Sequence, residues 1–202
     1  MHPNAAFQWN EATELRAFVT ARGFATLCVA GADGPIVAHA PVIVTEAGDL
    51  RFHLARSNRI VPHLDGAAMI ASVTDADHYV SPDWYGSADQ VPTWNYIAVE
   101  IEGRARALDE AALVDQLDVL SARFEAPLAP KPVWTRAKMT PGRFEAMTGA
   151  IRAYELVATA WRGTAKLGQN KRPAERTGLA DALDATGRGR EAALVRAGRA
   201  TR

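Results

Sequence analysis

The sequence lacks the features that identify disulfide-bonded, nucleic-acid-binding and membrane-spanning proteins. It contains a single cysteine, Cys28, which excludes an internal disulfide and any site built from several thiolates. Lysine plus arginine equals aspartate plus glutamate at 23 each, so no overall field attracts nucleic acid or an anionic membrane. No apolar stretch approaches the length of a membrane span. We therefore expect a cytoplasmic protein with no membrane partner.

Several motifs that would indicate a particular chemistry are also missing. There is no Walker-type glycine loop, no serine in a nucleophile elbow, and no helix-turn-helix with a basic recognition helix. The histidines include no pair at the spacing of a helical zinc site, so we expect no metal; they are His2, His39, His53, His63 and His78. No residue stands out as a catalytic acid or base.

Short apolar, β-prone runs separated by turn residues make up most of the chain. Strands are predicted at 24–30, 36–45, 50–55, 67–74, 95–108 and 154–161. Helices are predicted at 10–21, 109–126 and, as a short one, near 141–147. Because no strand is followed regularly by a long helix, a doubly wound parallel sheet is disfavoured. The pattern favours a mainly β fold with peripheral helices, in the form of a small antiparallel barrel.

The composition changes near the C-terminus, where Ala, Arg and Gly dominate. We therefore divide the chain into a main domain, 1–170, and a helical or flexible tail, 171–202. The tail is expected to begin as a helix near 174–183 and to become loosely ordered further on. Weak, salt-sensitive binding to nucleic acid is one interpretation of its arginines, but we favour a solvated, disordered tail. These arginines are Arg188, Arg190, Arg196, Arg199 and Arg202.

Three polar clusters are candidates for a binding site. One follows the third predicted strand and reads His53-Leu54-Ala55-Arg56-Ser57-Asn58. Arginine offers a fork of N–H donors and serine a hydroxyl, which together suit a phosphate group. The last cluster, 166–171, supplies two lysines and the amides of Gln169 and Asn170, which can pair with a heterocycle. Either cluster taken alone is more often a solvated turn.

The remaining cluster belongs to the segment 79–96, which concentrates aromatic rings between Pro82, Gly86 and Pro92. Prolines prevent a helix or a central strand from running through it, so its rings need another surface to cover them. That surface is a partner subunit, a planar ligand or the protein's own core. Thr93, Trp94 and Asn95 combine hydrogen-bonding groups with a ring that could lie against a flat cofactor.

Taken together, these segments resemble a known family, the PaiB-like FMN-binding negative transcriptional regulators. The likeness runs in matching order and spacing from about Pro3 to Leu183. It is carried by Phe24-Ala25-Thr26-Leu27, His39 with Pro41, 53–58, 79–85, 91–96 and 166–171. The resemblance implies a split β-barrel of the pyridoxamine-phosphate-oxidase-like type. It also implies an obligate-type homodimer that holds FMN at the subunit interface.

Carried over to this sequence, the resemblance implies that FMN is bound by eleven residues. The run from His53 to Asn58 would contribute Arg56 and Ser57 to the phosphate, with the rest nearby. Thr93, Trp94 and Asn95 would line the flavin, and Lys166 and Gln169 would make contacts late in the chain. Two positions depart from the family: Gly168 stands where Ser is usual, and Ala165 where an aromatic residue usually precedes the lysine.

The resemblance leaves the biological role open between three readings. One is an FMN-binding regulator whose effect on transcription is direct or indirect. Another is an FMN-dependent oxidoreductase acting on an unknown small molecule. The third is a cofactor-free or heme-binding relative on the same barrel. Neither enzymatic activity nor direct DNA binding follows from the sequence.

Overall fold

The computed structural model describes residues 2–198. The strands in this range are β1 (Gln8–Trp9), β2 (Phe24–Gly31), β3 (Gly34–Val44), β4 (Leu50–Ala55), β5 (Ala68–Val80), β6 (Thr93–Ala107) and β7 (Ile151–Lys166). The α-helices are α1 (Ala12–Arg22), α2 (Glu110–Glu125), α3 (Arg143–Thr148), α4 (Pro173–Ala185) and α5 (Gly189–Ala197). Short 3₁₀ helices include Ala5–Phe7, Val61–His63 and Pro82–Tyr85.

The strands form one sheet in the order β1-β7-β4-β3-β2-β5-β6, and β6 also pairs with β7. Pairing therefore runs in a closed circle from β7 to β6 and back, which removes free edges from the strands of the circle. The pairs β2–β3, β3–β4, β4–β7 and β2–β5 are antiparallel. The predicted mainly β fold with peripheral helices is confirmed.

The chain divides into two compact units. The first, called the barrel unit here, consists of Val19–Ser72 and Ile101–Ala160. Its core contains Leu27, Phe52 and Tyr154, each fully buried, and the rings of Phe52 and Tyr154 stack with centroids 5.6 Å apart. Burying a side chain of this kind stabilises the fold by about 1.5–3 kcal/mol.

A glycine on β6 allows the neighbouring strand to come close. A Cβ atom added at Gly103 would overlap the carbonyl oxygen of Val157 on β7. Any side chain at this position would push the two strands apart, because the obstacle is backbone and cannot rotate away. This close approach lies where β6 and β7 pair and close the circle of strands.

Strand β5 is longer than predicted, and the alternation of its buried and exposed side chains shifts by one residue along its length. Its buried residues are first Met69, Ala71 and Val73, and then Ala76, His78 and Val80. The switch from odd to even positions occurs at Ala76, whose φ of +53° is unusual for a residue other than glycine. This is the behaviour of a β-bulge. Its consequence is that His78 faces inward while Tyr79 faces outward.

The second unit, called the cavity unit here, contains residues up to Phe18, Val73–Glu100 and the described residues from Trp161 onward. Its apolar cluster joins the end of β5 to helices α4 and α5, and Trp84 packs against it. The buried members of this cluster are Val80, Tyr85, Leu179, Ala180, Leu183, Ala192 and Val195. The C-terminal helices are therefore part of a packed core.

The prediction of a loosely ordered, solvated tail is wrong for residues 189–197, which form α5. This helix buries Ala192, Leu194 and Val195, and that apolar face is stabilised by packing that a local sequence pattern does not reveal. Arg199 and Arg202 lie outside the described residues. The division of the chain at 170/171 stays a prediction.

Candidate functional site

A cationic cavity lies in the cavity unit, at the start of β6 and the end of β7. Its volume is about 140 Å³, and we call it the lysine cavity. Its lining residues are Phe7, Tyr85, Val91, Thr93, Asn95, Lys166, Gly168, Asn170 and Lys171. The predicted clusters around Thr93 and Lys166 therefore meet at one place, although 72 residues separate them in the sequence (positions 94–165).

Lys166 brings a positive charge into this cavity from the end of β7. Its Nζ donates a hydrogen bond to Thr93 Oγ1 at 2.5 Å and lies 5.9 Å from the centre of the Phe7 ring. The face of an aromatic ring attracts a cation, which offsets part of the hydration that the ammonium group loses. Burial, and then repulsion from Lys171, lower the pKa of Lys166.

Lys171 supplies a second ammonium group from the turn after β7. Its Nζ donates to Gln90 Oε1 at 2.6 Å and lies 4.6 Å from the centre of the Tyr85 ring. Burial, and then the negative charge of Glu175, raise the pKa of Tyr85, so this ring stays neutral. No carboxylate is present among the described residues that line the cavity. The cavity therefore favours a ligand that carries negative charge or electron-rich polar atoms.

Behind Lys171, a hydrogen-bond network holds Gln90 in place. Gln90 Nε2 donates to Ser87 Oγ at 3.0 Å, and the Ser87 hydroxyl donates to Glu175 Oε1 at 2.8 Å. The guanidinium and the backbone N–H of Arg172 donate to the same carboxylate at 2.8–3.1 Å. The hydrogen bonds from Arg172 and Ser87 lower the pKa of Glu175 to about 2. A carboxylate that stays charged near pH 7 thus anchors the residues that orient Lys171.

Asn95 lies at the buried side of the lysine cavity and is 1% exposed. Its Nδ2 lies 3.5 Å from Nε2 of His78, and the Nδ1 of His78 lies 3.0 Å from the carbonyl oxygen of Ala76. Burial is the main cause that lowers the pKa of His78. The positive φ of Ala76 costs of order 1–3 kcal/mol, which the surrounding contacts must offset. The bulge in β5 therefore places a neutral imidazole directly behind a cavity residue.

Trp94 lies on the opposite side of β6 from the cavity. It is 55% exposed, and its ring packs edge-to-face on Tyr79 with centroids 6.1 Å apart. Side chains alternate along a strand, so Thr93 and Asn95 reach the cavity whereas Trp94 does not. The structure brings together two of the three residues predicted to line the flavin.

The side chain of Gln169 forms hydrogen bonds with the backbone of its own turn. Its Oε1 accepts a hydrogen bond from the Leu167 N–H at 2.8 Å, and its Nε2 donates to the carbonyl oxygen of Ala165. Both ends of the amide are engaged with backbone groups. The side chains that this turn presents to the cavity are those of Asn170 and Lys171.

The first predicted cluster lies in the barrel unit, where β4 ends. Arg56 Nε donates to the carbonyl oxygen of Gly149 at 2.8 Å, and the Arg56 backbone N–H donates to Ala150 O at 2.9 Å. Arg56 lines a second cavity of about 140 Å³. The other charged residues around it are Asp109, Glu110, Glu145 and Arg152. This cavity has mixed charge, and Asp109 is already engaged as the N-cap of α2.

The other members of the run from 53 to 58 have different surroundings. Leu54 is a core side chain at 5% exposure, whereas Ala55 and Ser57 are exposed. Asn58 Oδ1 accepts a hydrogen bond from the Ile60 N–H at 3.2 Å, which closes a local turn. Within this run, Arg56 and Ser57 have the exposed polar side chains.

His53 contacts helix α2 instead of an open surface. Its Nδ1 lies 3.2 Å from Nε2 of Gln116, a fully buried residue of α2. Burial lowers the pKa of His53. The Oε1 of Gln116 is buried without a hydrogen-bond partner, so this pair is an imperfectly satisfied polar contact beneath the helix.

Sequence reasoning missed Phe7 of the lysine cavity, and it placed Tyr85 no more closely than in the aromatic segment 79–96, whose rings need a covering surface. Phe7 comes from the other end of the chain, and its local sequence carries no sign of a ligand. Tyr85 belongs to the aromatic-rich segment 79–96, but nothing local distinguishes it from Tyr79, which is 44% exposed. Their role follows only from the contacts with Lys166 and Lys171.

Two negative findings concern other kinds of site. Among residues 2–198, no group of three or more His, Cys, Asp and Glu side chains is placed to hold a metal ion. Within the same range, no helix combines the length and apolar character that crossing a membrane would require.

The closed antiparallel sheet and the lysine cavity define a class: a β-barrel protein with a cavity that presents ammonium groups and aromatic rings. The donor set of the cavity fits FMN on chemical grounds. Ammonium, hydroxyl and amide groups can hydrogen-bond the polar edge of a flavin ring, and Phe7 and Tyr85 offer apolar surface.

The chain belongs to the family described as "Putative FMN-binding domain", whose model matches residues 1–160. This confirms the family resemblance, and it identifies FMN as the cofactor. The chain is also similar to "Protease synthase and sporulation protein PAI 2" of Bacillus subtilis (strain 168). The two are 26% identical over 169 residues, which cover 82% of this chain and 80% of the relative.

Three solved structures share the fold. The flavocytochrome Anf3 from Azotobacter vinelandii matches with a TM-score of 0.64 and 15% identity, over 82% of this chain and 72% of that one. The FAD and heme binding protein from Mycobacterium smegmatis matches with a TM-score of 0.59 and 19% identity, over 79% of this chain and 73% of that one. The conserved hypothetical protein Rv2991 from Mycobacterium tuberculosis matches with a TM-score of 0.59 and 18% identity, over 86% of this chain and 94% of that one. This shared fold agrees with the split-barrel type that the family resemblance implies.

Proposed function

We propose that the lysine cavity holds the polar edge of the FMN ring. The observation that carries this proposal is Lys166, a partly buried ammonium group beside Thr93 and Asn95 in a cavity lined by no described carboxylate. FMN, when bound, supplies the electron-transfer chemistry. Lys166 would stabilise negative charge on the ring edge, while Thr93 and Asn95 would fix the orientation of the ring. Lys171 would add a second positive charge.

For the phosphate group of FMN we propose Arg56 and Ser57. Both side chains are exposed at the end of β4, and the Arg56 guanidinium donates a hydrogen bond to the barrel unit through Nε. An arginine fork with an adjacent hydroxyl suits phosphate oxygens. Arg152 lines the same cavity and adds a second guanidinium, which would offset the nearby carboxylates.

We propose that a second copy of the chain completes the site. Cofactor pockets usually measure about 300–1,000 Å³, and the lysine cavity is smaller. The barrel unit also carries an apolar groove of about 600 Å³, whose lining includes Cys28, Pro35, Met69 and Ile70. Exposed apolar surface of this kind often marks an interface between proteins. A homodimer would cover it and add protein surface around FMN.

The biological role that we propose is regulatory and indirect. It is supported by the relative named as a protease synthase and sporulation protein. Direct DNA binding is not favoured, because the arginines of the C-terminal helices are engaged within the protein. Arg190 pairs with Asp75, Arg196 pairs with Asp181 and Asp184, and Arg176 donates to the carbonyl oxygens of Val195 and Arg196.

An FMN-dependent oxidoreductase is the second candidate. The observation that favours it is the position of Lys166, whose Nζ is held in the cavity by Thr93 Oγ1 at 2.5 Å and whose pKa is lowered by burial and by Lys171, since perturbed groups in a cavity are common where charge develops during a reaction. The substrate would be a small molecule, because the open cavity volume beside the flavin contacts is limited. This role and a regulatory one are compatible on the same FMN site.

The proposal is tested by the absorbance spectrum of the purified protein and by the mass of what denaturation releases. We expect flavin bands and FMN. In a fluorescence titration with FMN, Lys166→Met and Arg56→Ala should each weaken binding by about 10- to 100-fold, because each removes a charged hydrogen-bond donor. Lys138→Met and Arg143→Ala, which change exposed residues of the same types, should leave binding unchanged. A protein that takes up no FMN would refute the proposal.

A further inference from the structure

Four atoms behind the lysine cavity fix the direction in which Asn95 points. His78 is 1% exposed, and its Nδ1 lies 3.0 Å from Ala76 O. A carbonyl oxygen can only accept a hydrogen bond, so Nδ1 must carry the proton. In a neutral imidazole the other nitrogen is then an acceptor. Nε2 lies 3.5 Å from Asn95 Nδ2, which can donate to it.

This arrangement uses the nitrogen of the Asn95 amide and leaves its oxygen available. Asn95 lines the lysine cavity, so the free Oδ1 is the polar atom that it can offer to a ligand there. We propose that His78 is a positioning residue for the FMN site. Its Nδ1–H tautomer holds the Asn95 amide so that Oδ1 faces the cofactor and accepts a hydrogen bond from an N–H or O–H group. This inference rests on the proposed FMN site and names the residue that orients it.

The protonation state of His78 should therefore determine which atom of the Asn95 amide faces the lysine cavity. When Nε2 also gains a proton, it becomes a donor, and Asn95 must turn its oxygen toward His78 and its NH₂ group toward the cavity. Burial lowers the pKa of His78, while the Ala76 carbonyl, Glu191 and Asp77 act in the opposite direction and Arg188 adds to the lowering. The neutral form then dominates near pH 7, and the inversion belongs to the acid side of the ordinary histidine range.

The first test reads the tautomer directly in the full-length protein without added FMN. Long-range ¹H–¹⁵N correlation spectra of ¹⁵N-histidine-labelled protein distinguish a protonated Nδ1 from a protonated Nε2. The His78 signals are identified by their loss in His78→Gln. We expect the proton on Nδ1 at pH 7 and a second proton only at acid pH. A proton on Nε2 at pH 7 would overturn the inference.

The second test compares FMN affinity between pH 7 and pH 5 in four proteins. His78→Gln places an acceptor near the position of Nε2 but does not titrate, so it should bind FMN within about 2-fold of the wild type at pH 7. His78→Leu removes the acceptor and should bind about 10-fold more weakly. His63→Gln removes an exposed histidine of the barrel unit and should behave as the wild type at every pH.

The pH profile separates positioning from a purely structural role. The second ionisation of a phosphate monoester, near pH 6, affects all four proteins equally. We therefore expect affinity to fall more steeply toward pH 5 in the wild type and in His63→Gln than in His78→Gln. Identical profiles in wild type and His78→Gln would overturn the inference. If the wild type binds no FMN at any pH, the proposed function fails together with the role of His78 toward FMN, and the tautomer in the free protein then shows only whether His78 orients the Asn95 amide.

Discussion

Lys166 shows how a single residue can be prepared for a ligand before the ligand arrives. The ammonium group is partly buried, hydrogen-bonded to Thr93 and placed over the Phe7 ring. Burial removes water, and Lys171 adds repulsion, so the free cavity disfavours the charge that it holds. An anionic or electron-rich ligand would reverse that penalty. The same contacts fix the position of the charge, which limits the entropy lost on binding.

At Gly168 we predict that serine, the residue usual in the family, strengthens FMN binding but weakens the fold. The φ of Gly168 is +75°, and an added Cβ would meet only Leu179 at 3.5 Å. There is room for the side chain, but the left-handed backbone should cost about 1–2 kcal/mol. A hydroxyl in the cavity should add one hydrogen bond, worth about 1 kcal/mol or about 5-fold in affinity. Urea unfolding and FMN titration measure the two effects.

A second glycine provides the matched control for this change. Gly187 has a φ of +77° and no atom near an added Cβ, and it does not line the lysine cavity. Gly187→Ser should therefore lose a similar free energy of unfolding and leave FMN affinity unchanged. An equal gain in affinity in both variants, or no gain in Gly168→Ser, would contradict the assigned position of the cofactor.

At the scale of the element, the start of α4 links helix stability to the cavity. Glu175 is in the first turn of α4 and accepts the Arg172 backbone N–H at 2.9 Å, which satisfies one of the donors that a helix start leaves free. The same carboxylate accepts hydrogen bonds from Ser87 and Gln90, and Gln90 in turn holds Lys171. Docking of α4 therefore also positions a lysine of the cavity.

We predict that Glu175→Gln removes an acid-sensitive part of the stability. The pKa of Glu175 is about 2 in the folded protein and about 4.3 in an unfolded chain. A lowered pKa means that the stabilising contribution is complete above the unfolded value and is lost as the pH falls toward 2. The difference in free energy of unfolding between wild type and variant should be constant from pH 7 to 5 and should shrink below pH 4.

Urea unfolding at pH 6, 4 and 3 measures this difference. Glu110→Gln is the control, because Glu110 occupies the first turn of α2 without the hydrogen bonds that Glu175 receives. A Glu175→Gln deficit that persists unchanged at pH 3 would show that packing, not charge, explains its effect.

The elements also show what a sequence can and cannot predict. The alternation of apolar and polar residues predicted most strands and the mainly β class, because each strand of the barrel has one buried face. The prediction of β5 stopped too early, at Thr74, because the bulge at Ala76 moves the buried side chains from odd to even positions and no glycine marks the positive φ. The sequence pattern also failed at α5, whose small apolar face is stabilised by α4 and Val80. In the site, Thr93, Asn95 and Lys166 were predicted, but the bulge that buries His78 and the long-range contact of Phe7 were not.

For the whole molecule, the proposed homodimer requires a surface that a second copy can cover. The apolar groove of the barrel unit includes Cys28, Pro35 and Ile70, and Val37, paired with Cys28 in the sheet, is 40% exposed. A stable dimer needs about 800 Å² buried on each partner with an apolar centre, and this groove, at about 600 Å³, has the largest volume of the cavities described above.

We predict that Ile70→Glu converts a dimer into a monomer and weakens FMN binding at the same time. A charged side chain in the apolar part of the groove loses its hydration when a second copy covers it, which costs enough to shift the equilibrium toward monomer. Val119→Glu is the control, because it introduces the same charge at an exposed position of α2 that does not line the groove. Sedimentation velocity reports the oligomeric state, circular dichroism reports folding, and fluorescence titration reports FMN affinity.

A folded Ile70→Glu protein that remains a dimer would exclude this groove as the interface. A monomer with unchanged FMN affinity would show that one chain forms the whole site.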